Sequence, residues 1–156
     1  ATSDSFHGKR TCSLFIRLIN ALLLLQYESA SRVKDMGCVD IIADGRKVAV
    51  SCHNSQDMST EMGALVVRDL VAAMVTTKKW KGIIASTSMS ASTETLTAFN
   101  LLNNRIINGR RIELELWTFV KVVNMTQDRA LDLMNPHLEY FLPRELRDEL
   151  RGVFSL

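Results

Sequence analysis

The sequence predicts a mixed α/β protein in which helices cover both faces of one central mixed sheet, an α/β/α sandwich. Apolar residues recur at helical spacing in three stretches: residues 13–27, 60–77 and 90–102. Short runs rich in β-branched residues stand between and after them: residues 38–44, 47–53, 80–87 and 111–119. Because helices and strands alternate along one chain, they are expected to pack as layers around a shared core.

Each of the three helices is predicted to begin at a hydroxyl residue that can cap it. The caps are, in order, Ser13, Thr60 and either Ser90 or Ser92. A polar arm, residues 1–12, precedes the first helix, and a helical extension, residues 126–156, ends the chain with a first helix near 126–134. Between them, residues 13–125 are predicted to form one domain, which is long enough to bury a hydrophobic core.

Two turn sequences place the predicted strands. An Asp44-Gly45 pair joins the first two strand runs, and glycine supplies the positive φ that a tight hairpin turn requires. An Asn108-Gly109 turn precedes the last run, in which apolar and charged residues alternate. One face of this last strand is therefore expected to be wet, as in a strand near a sheet edge.

The composition is that of an ordinary globular protein. Hydrophobic residues make up 47% of the 156 residues and charged residues 23%, and the formal net charge is +2. Proteins that bind mainly through phosphate contacts usually carry a larger basic excess, so the net charge gives nucleic-acid binding little support. Cys12, Cys38 and Cys52 have no CxxC spacing and are expected to be reduced thiols of an intracellular protein.

No transmembrane segment is predicted. The apolar stretch "SLFIRLINALLLLQY" is interrupted by Arg17 and Asn20 and is too short to cross a bilayer. The chain begins at Ala1 rather than at methionine, which fits a processed organelle protein and equally a trimmed chain. We therefore expect a mitochondrial location or, failing that, another intracellular one.

Five strings of the sequence follow one another in a meaningful order: "FIRLINALLLLQY", "MGCVDIIAD", "VAVSCHN", "GALVVRDL" and "IIASTSMSASTET". Together they resemble the Mrr-like restriction endonuclease family of the PD-(D/E)xK nuclease superfamily. That family has, in this order, a first helix, a D-G-G-I-D hairpin, a V-Q-C-K strand, a G-x-x-x-V-R-E-L helix and a strand ending in Thr-Ser. The resemblance covers roughly residues 15–120 and implies a restriction-endonuclease-like fold.

The resemblance also implies where a nuclease site would lie. In the family, a hairpin aspartate and a glutamate or glutamine on the next strand hold Mg²⁺, a lysine two residues later activates water, and a first-helix glutamate supports the site. Asp40 matches the aspartate, but Ser51, His53 and Ile16 stand where the other three groups are expected. No catalytic set is therefore intact, and losing one acid–base group alone typically costs about 10²–10⁴ in rate.

Residual chemistries stay open at these positions. Asp40 with His53 could hold a cation: Mg²⁺ or Mn²⁺ in a divergent nuclease, or Zn²⁺ with the imidazole as ligand. A migrated group, Glu61 or Arg68, could face the old site. Ser51 and His53 share a strand face but lack a third group and an oxyanion hole, so they do not predict a nucleophile–base pair. The simpler expectation is no metal or cofactor, with Asp40 a relict that bonds to backbone or to His53.

A group of basic residues could form a patch for a phosphate backbone. Its members are Lys78, Lys79, Lys81, Arg105, Arg110 and Arg111. Trp80 stands among them and could stack on a base. The alternative is that these charges stay in water and that the tryptophan packs on the sheet edge.

These observations favour a catalytically inactive nuclease fold that serves as a structural or accessory subunit of a larger assembly. A mitochondrial respiratory or ATP-synthase complex and a ribonucleoprotein are both candidates. The expected partners are other protein subunits, and nucleic acid is less favoured because the net charge is small. Two alternatives remain: a divergent metal-dependent DNA endonuclease, and a nucleic-acid-binding module that does not cleave.

Overall fold

The computed structural model of the chain describes residues 12–53 and 62–133, which contain five helices and seven strands. The helices are α1 (Cys12–Gln26), α2 (Leu65–Thr76), α3 (Thr93–Leu102), α4 (Phe119–Asp128) and α5 (Ala130–Leu133). The strands are β1 (Ala30–Arg32), β2 (Ile41–Ala43), β3 (Val48–His53), β4 (Lys81–Ser86), β5 (Ile106–Ile107), β6 (Arg110–Arg111) and β7 (Glu113–Trp117).

The central sheet has five strands in the order β1-β2-β3-β4-β7. The pairs β1–β2 and β2–β3 are antiparallel, whereas β3–β4 and β4–β7 are parallel, so the predicted mixed sheet is confirmed. At the amino ends of the parallel strands, Lys81 pairs with Val48 on one side and Glu113 on the other. At the carboxyl ends, His53 pairs with Ser86. The sheet therefore presents two chemically distinct ends.

Helices cover both faces of this sheet, as the α/β/α layering predicts. Side chains of β3 alternate between the faces: Val48 and Val50 belong to a core with α1, α4 and α5, and Ala49 belongs to a second core with α2 and α3. None of the described helices is long and apolar enough to cross a membrane. The finer assignment, a restriction-endonuclease-like fold, stays a prediction.

A glycine allows α2 to lie close to the sheet. A Cβ atom on Gly82 of β4 would stand 2.5 Å from Sδ of Met74 and 3.1 Å from Cδ2 of Leu70. Both of these α2 side chains are fully buried. The absence of a side chain at Gly82 is therefore a packing requirement of the second core.

The turn at Asp44-Gly45 and one of the three caps were predicted correctly, whereas Ser13, predicted as the first cap, lies inside α1. Residues 44–47 turn β2 back onto β3, and Asp44 and Gly45 have φ of 51° and 60°. The Oγ atom of Ser92 accepts a hydrogen bond from the backbone N–H of Thr95 at 3.1 Å, so Ser92 is the cap of α3. The last strand, β7, lies at the edge of the sheet.

Two helix starts were predicted wrongly. The helix α2 begins at Leu65, with Ala64 rather than Thr60 at its cap position, and Met62 forms a β-bridge with Ala91 before it. The helix α4 begins at Phe119 instead of near residue 126.

The boundary predicted at residue 125 also falls inside α4. Phe119 and Val122 of this helix, and Leu133 of α5, pack in the same core as α1. Burial of these side chains joins residues 119–133 to the domain, so they are not an extension of it. Residues 1–11 of the predicted arm and residues 134–156 of the predicted extension lie outside the described residues, as do Thr60 and Glu61.

Candidate functional site

At the carboxyl end of β3, backbone groups hold the carboxylate of Asp40. Its Oδ2 atom accepts a hydrogen bond from the backbone N–H of Cys52 at 2.7 Å. The backbone N–H of Asp40 donates to the carbonyl of Val50 at 2.8 Å, and its carbonyl accepts from the N–H of Val33 at 3.0 Å. Asp40 therefore extends the pairing of β2 with β3, and its side chain bonds across the same pair of strands.

The next two relict positions contact each other. The Oγ atom of Ser51 and the Nε2 atom of His53 are 2.8 Å apart, a hydrogen bond in which either group can donate, depending on the tautomer. Both side chains alternate with Val50 along β3, so they point towards α2. Ser51 is 0% exposed, which keeps its hydroxyl out of reach of a substrate. The pair is a structural contact and not a nucleophile with its base.

Burial sets the protonation of this end of the sheet. It lowers the pKa of His53, and the opposing effect of the Asp69 carboxylate is smaller. It also raises the pKa of Asp40, against the smaller opposing effects of the Cys52 N–H and the Arg32 charge. Since the imidazole is neutral at pH 7, it does not supply the permanent positive charge that a lysine brings to a scissile phosphate.

The fourth relict position is not part of this cluster. Ile16 is buried in the core of α1, on the opposite face of the sheet from Ser51 and His53. Within residues 12–53 and 62–133, no three His, Cys, Asp or Glu side chains are placed to hold a metal ion. Metal binding at Asp40, whether Mg²⁺, Mn²⁺ or Zn²⁺, stays a prediction.

The sequence prediction missed Asp69 as a member of this neighbourhood. Its charge acts on both His53 and Cys38, and burial together with that charge raises the pKa of the Cys38 thiol. The neighbouring Arg68, predicted as a candidate migrated group, is exposed on α2. Helical periodicity gave no signal for Asp69, because it lies beside the buried stripe of α2 and not on it.

The amino ends of the parallel strands form a different site, which we call the basic cleft. Its volume is about 580 Å³, and it is lined by five residues predicted as a basic patch: Lys78, Lys79, Lys81, Arg110 and Arg111. Arg46 and Lys47, from the turn between β2 and β3, also line it and were missed. Two carboxylates, Asp44 and Glu113, are present as well. Arg105 was predicted with the group but does not line the cleft.

The backbone at the carboxyl end of α2 places Lys78 and Lys79 at the basic cleft. The N–H of Lys79 donates to the carbonyl of Met74 at 2.8 Å, and the N–H of Lys78 donates to that of Val75 at 3.3 Å. These two bonds form a Schellman motif, in which Lys78 has the left-handed conformation with φ of 58°. The side chain of Lys79 is only 6% exposed, so most of its stem is buried where it lines the cleft.

At the wall of the basic cleft, a guanidinium lies over the face of an aromatic ring. The guanidinium carbon of Arg110 lies 5.1 Å from the centroid of the Trp80 ring, a cation–π contact. The carbonyl of Trp80 accepts a hydrogen bond from the N–H of Glu113 at 2.9 Å, which ties its backbone to β7. Nearby, the Nζ atom of Lys81 lies 5.5 Å from the centroid of the Tyr27 ring. Aromatic rings thus hold two of the cleft's cations in place.

Comparisons of the chain with protein-family models, curated proteins and solved structures found no match. The resemblance to Mrr-like nucleases therefore depends on the sequence strings alone and stays a prediction.

Proposed function

We propose that this chain is a catalytically inactive, restriction-endonuclease-like protein, related to the Mrr-like nucleases, that serves as a structural or accessory subunit of a larger assembly. The observation that carries the proposal is the hydrogen bond between Ser51 and His53. It joins the two positions at which the resembled nucleases keep a metal ligand and a lysine.

The hydrogen bonds and charges of Ser51, His53 and Asp40 support the proposed lack of catalytic activity. A hydroxyl and a neutral imidazole that bond to each other supply neither a long-armed oxygen ligand for Mg²⁺ nor a cation for the phosphate. One oxygen of the remaining carboxylate, on Asp40, accepts a bond from the N–H of Cys52. The polar groups at this end of the sheet thus stabilise the fold. We infer that a nuclease fold without catalytic activity is retained because its surface binds other subunits.

A cleavage assay tests the catalytic part of the proposal. The protein is incubated with duplex DNA and Mg²⁺ or Mn²⁺, beside the variant Asp40→Asn, which can still accept the Cys52 N–H bond but carries no charge. We expect no cleavage by either protein. Cleavage by the unmodified protein that disappears in Asp40→Asn would establish the divergent nuclease instead.

Native isolation tests the assembly part of the proposal. The tagged chain is purified from its source, and its partners are identified by mass spectrometry and their stoichiometry by native electrophoresis. We expect a complex of fixed composition that contains other protein subunits and fractionates with mitochondria. A chain that migrates alone at its own mass would contradict the subunit role.

A further inference from the structure

We propose that the basic cleft binds single-stranded nucleic acid, with its cations on the phosphates and a base stacked on the Arg110–Trp80 pair. This function goes beyond the accessory role proposed above and does not depend on it. The cleft lies at the amino ends of β3, β4 and β7, the opposite end of the sheet from Asp40, Ser51 and His53. Binding there would be separate from any remnant of a nuclease site.

The first support is the concentration of charge. Seven basic residues and two acidic residues line the cleft, a surplus of five positive charges, whereas the whole chain has a net charge of only +2. The basic residues come from three separate parts of the chain: the turn between β2 and β3, the link between α2 and β4 together with the first residue of β4, and β6. Like charges gathered in this way repel one another, and a polyanion relieves the repulsion.

The second support is the backbone beneath two of these cations. Arg46 has φ of 76° and Lys78 has φ of 58°, a left-handed conformation that costs about 1–2 kcal/mol for a residue with a side chain. Glycine would adopt either conformation without this cost. The chain instead has a long cation at both positions, and both line the cleft. Strained residues of this kind are enriched at binding sites, although four other described residues with a side chain also have positive φ.

The third support is the stacked pair, which favours a single strand over a duplex. A guanidinium over the face of an indole is a planar cation on which a base can stack, and stacking of this kind does not depend on sequence. A single strand exposes the faces of its bases, whereas a duplex offers protein groups mainly the base edges in its grooves. The cleft volume of about 580 Å³ is that of a small-ligand pocket, which an unpaired base can enter.

The primary experiment is fluorescence anisotropy with a labelled single-stranded oligonucleotide of about 8 nucleotides, titrated at several salt concentrations. If about four phosphates are neutralised, the logarithm of the affinity should fall with the logarithm of the salt concentration with a slope of about −3. Absence of binding, or binding that does not change with salt, would overturn the proposal.

Charge variants with matched controls locate the site. Lys47→Gln and Arg111→Gln remove exposed cations of the basic cleft, and each should weaken binding and make the slope shallower by about 0.7. Arg68→Gln and Lys121→Gln remove exposed cations elsewhere, on α2 and α4, and should change neither quantity. Equal effects of all four substitutions would mean a general charge effect and would overturn the assignment to the cleft.

A charge-conserving variant tests the stacked pair. Arg110→Lys keeps the positive charge but removes the planar group, so the salt slope should stay the same while the affinity falls at least about fivefold. The loss should be absent with an abasic strand of the same length, because that strand has no base to stack. An unchanged affinity of Arg110→Lys for the normal strand would overturn the stacking part of the proposal.

Competitors distinguish the possible sources of the phosphates. Inorganic polyphosphate, the abasic strand and a duplex of the same sequence are each competed against the labelled strand. We expect the unlabelled single strand to compete best. If polyphosphate competes equally well, the cleft is a site for a free phosphate-rich ligand, and if the duplex competes equally well, it is a duplex site; either result would overturn the single-strand proposal.

Discussion

The Oγ atom of Ser51 lies 2.8 Å from the Nε2 atom of His53, on a strand face that is closed to solvent at Ser51. A buried polar group is costly unless it is hydrogen-bonded, so each of these side chains provides the partner that the other requires. The contact explains how polar residues are accommodated at the end of an otherwise apolar strand. The two ends of the sheet therefore differ. At the carboxyl ends of the parallel strands the polar side chains bond to each other, whereas at the amino ends they line the open basic cleft.

Loss of this hydroxyl should destabilise the protein. Ser51→Ala removes the hydroxyl partner of the half-buried His53 ring, which costs about 1 kcal/mol. Urea unfolding followed by circular dichroism measures the change. Ser31→Ala, at an exposed serine on β1, serves as control and should shift the free energy of unfolding by no more than about 0.5 kcal/mol. A Ser51→Ala variant as stable as this control would show that the contact contributes nothing.

The pKa shift of His53 should make the protein less stable as the pH falls. Burial lowers this pKa from its ordinary 6.5, so the unfolded chain binds the proton more readily than the folded one. The stability present above pH 6.5 is therefore lost as the pH decreases towards the folded-state pKa. Asp40 acts with the opposite sign, because burial raises its pKa and the folded state then takes up its proton more readily.

Urea midpoints at about pH 8 and about pH 5.5 test this dependence. The midpoint of the unmodified protein should be lower at the acidic pH. In His53→Gln, whose amide can still bond to Ser51, the difference should shrink. In Asp40→Asn the difference between the two midpoints should not shrink. Asp40 opposes the effect of His53, because its contribution stabilises the protein as the pH falls. A midpoint that rises on acidification and is unaffected by His53→Gln would contradict the sign.

Local chemistry explains which parts of the fold could be predicted. The hairpin at Asp44-Gly45 and the cap at Ser92 were predicted correctly, because turn and cap preferences involve only neighbouring residues. The start of α4 at Phe119 could not be predicted in this way, because it depends on burial of the Phe119 side chain against α1. Such tertiary packing overrides the local pattern that extends β7 to residue 119.

For the candidate sites too, the residue types could be predicted from the sequence, but the tertiary contacts that bring them together could not. The adjacent lysines at 78 and 79 and the arginines at 110 and 111 were visible in the sequence as a basic group. That they meet in one cleft follows from the parallel pairing of β4 with β7, in which Lys81 faces Glu113. The turn between β2 and β3 adds Arg46 and Lys47 through the pairing of β3 with β4, a non-local contact. Asp69 reaches His53 only because α2 packs over β3.

A methyl group at Gly82 should weaken the packing between α2 and the sheet. Gly82→Ala places a Cβ atom 2.5 Å from Sδ of Met74 and 3.1 Å from Cδ2 of Leu70, so the helix or its side chains must move. Overpacking of this kind costs about 1–3 kcal/mol, which urea unfolding measures. The double variant Gly82→Ala/Met74→Ala removes the closest obstacle and is the control for the clash. If alanine at position 82 costs as much in the Met74→Ala background as in the unmodified protein, the clash is not the cause.

Substitution of Lys78 should separate stability from binding in the basic cleft. Lys78 has φ of 58° at the end of α2, where glycine is the favoured residue. We therefore expect Lys78→Gly to be about 1 kcal/mol more stable than Lys78→Ala, because alanine retains the left-handed cost that glycine avoids. Relative to the unmodified protein, glycine also loses the favourable contact of a cation with the helix end, about 0.3–1 kcal/mol, so its stability should stay close to the original. Both variants remove the same charge, and both should weaken oligonucleotide binding by the same factor, measured by anisotropy. If both variants lose the same affinity although their stabilities differ, the charge of Lys78 contacts the ligand. If the less stable variant also binds more weakly, Lys78 affects binding through the fold, and the prediction is wrong.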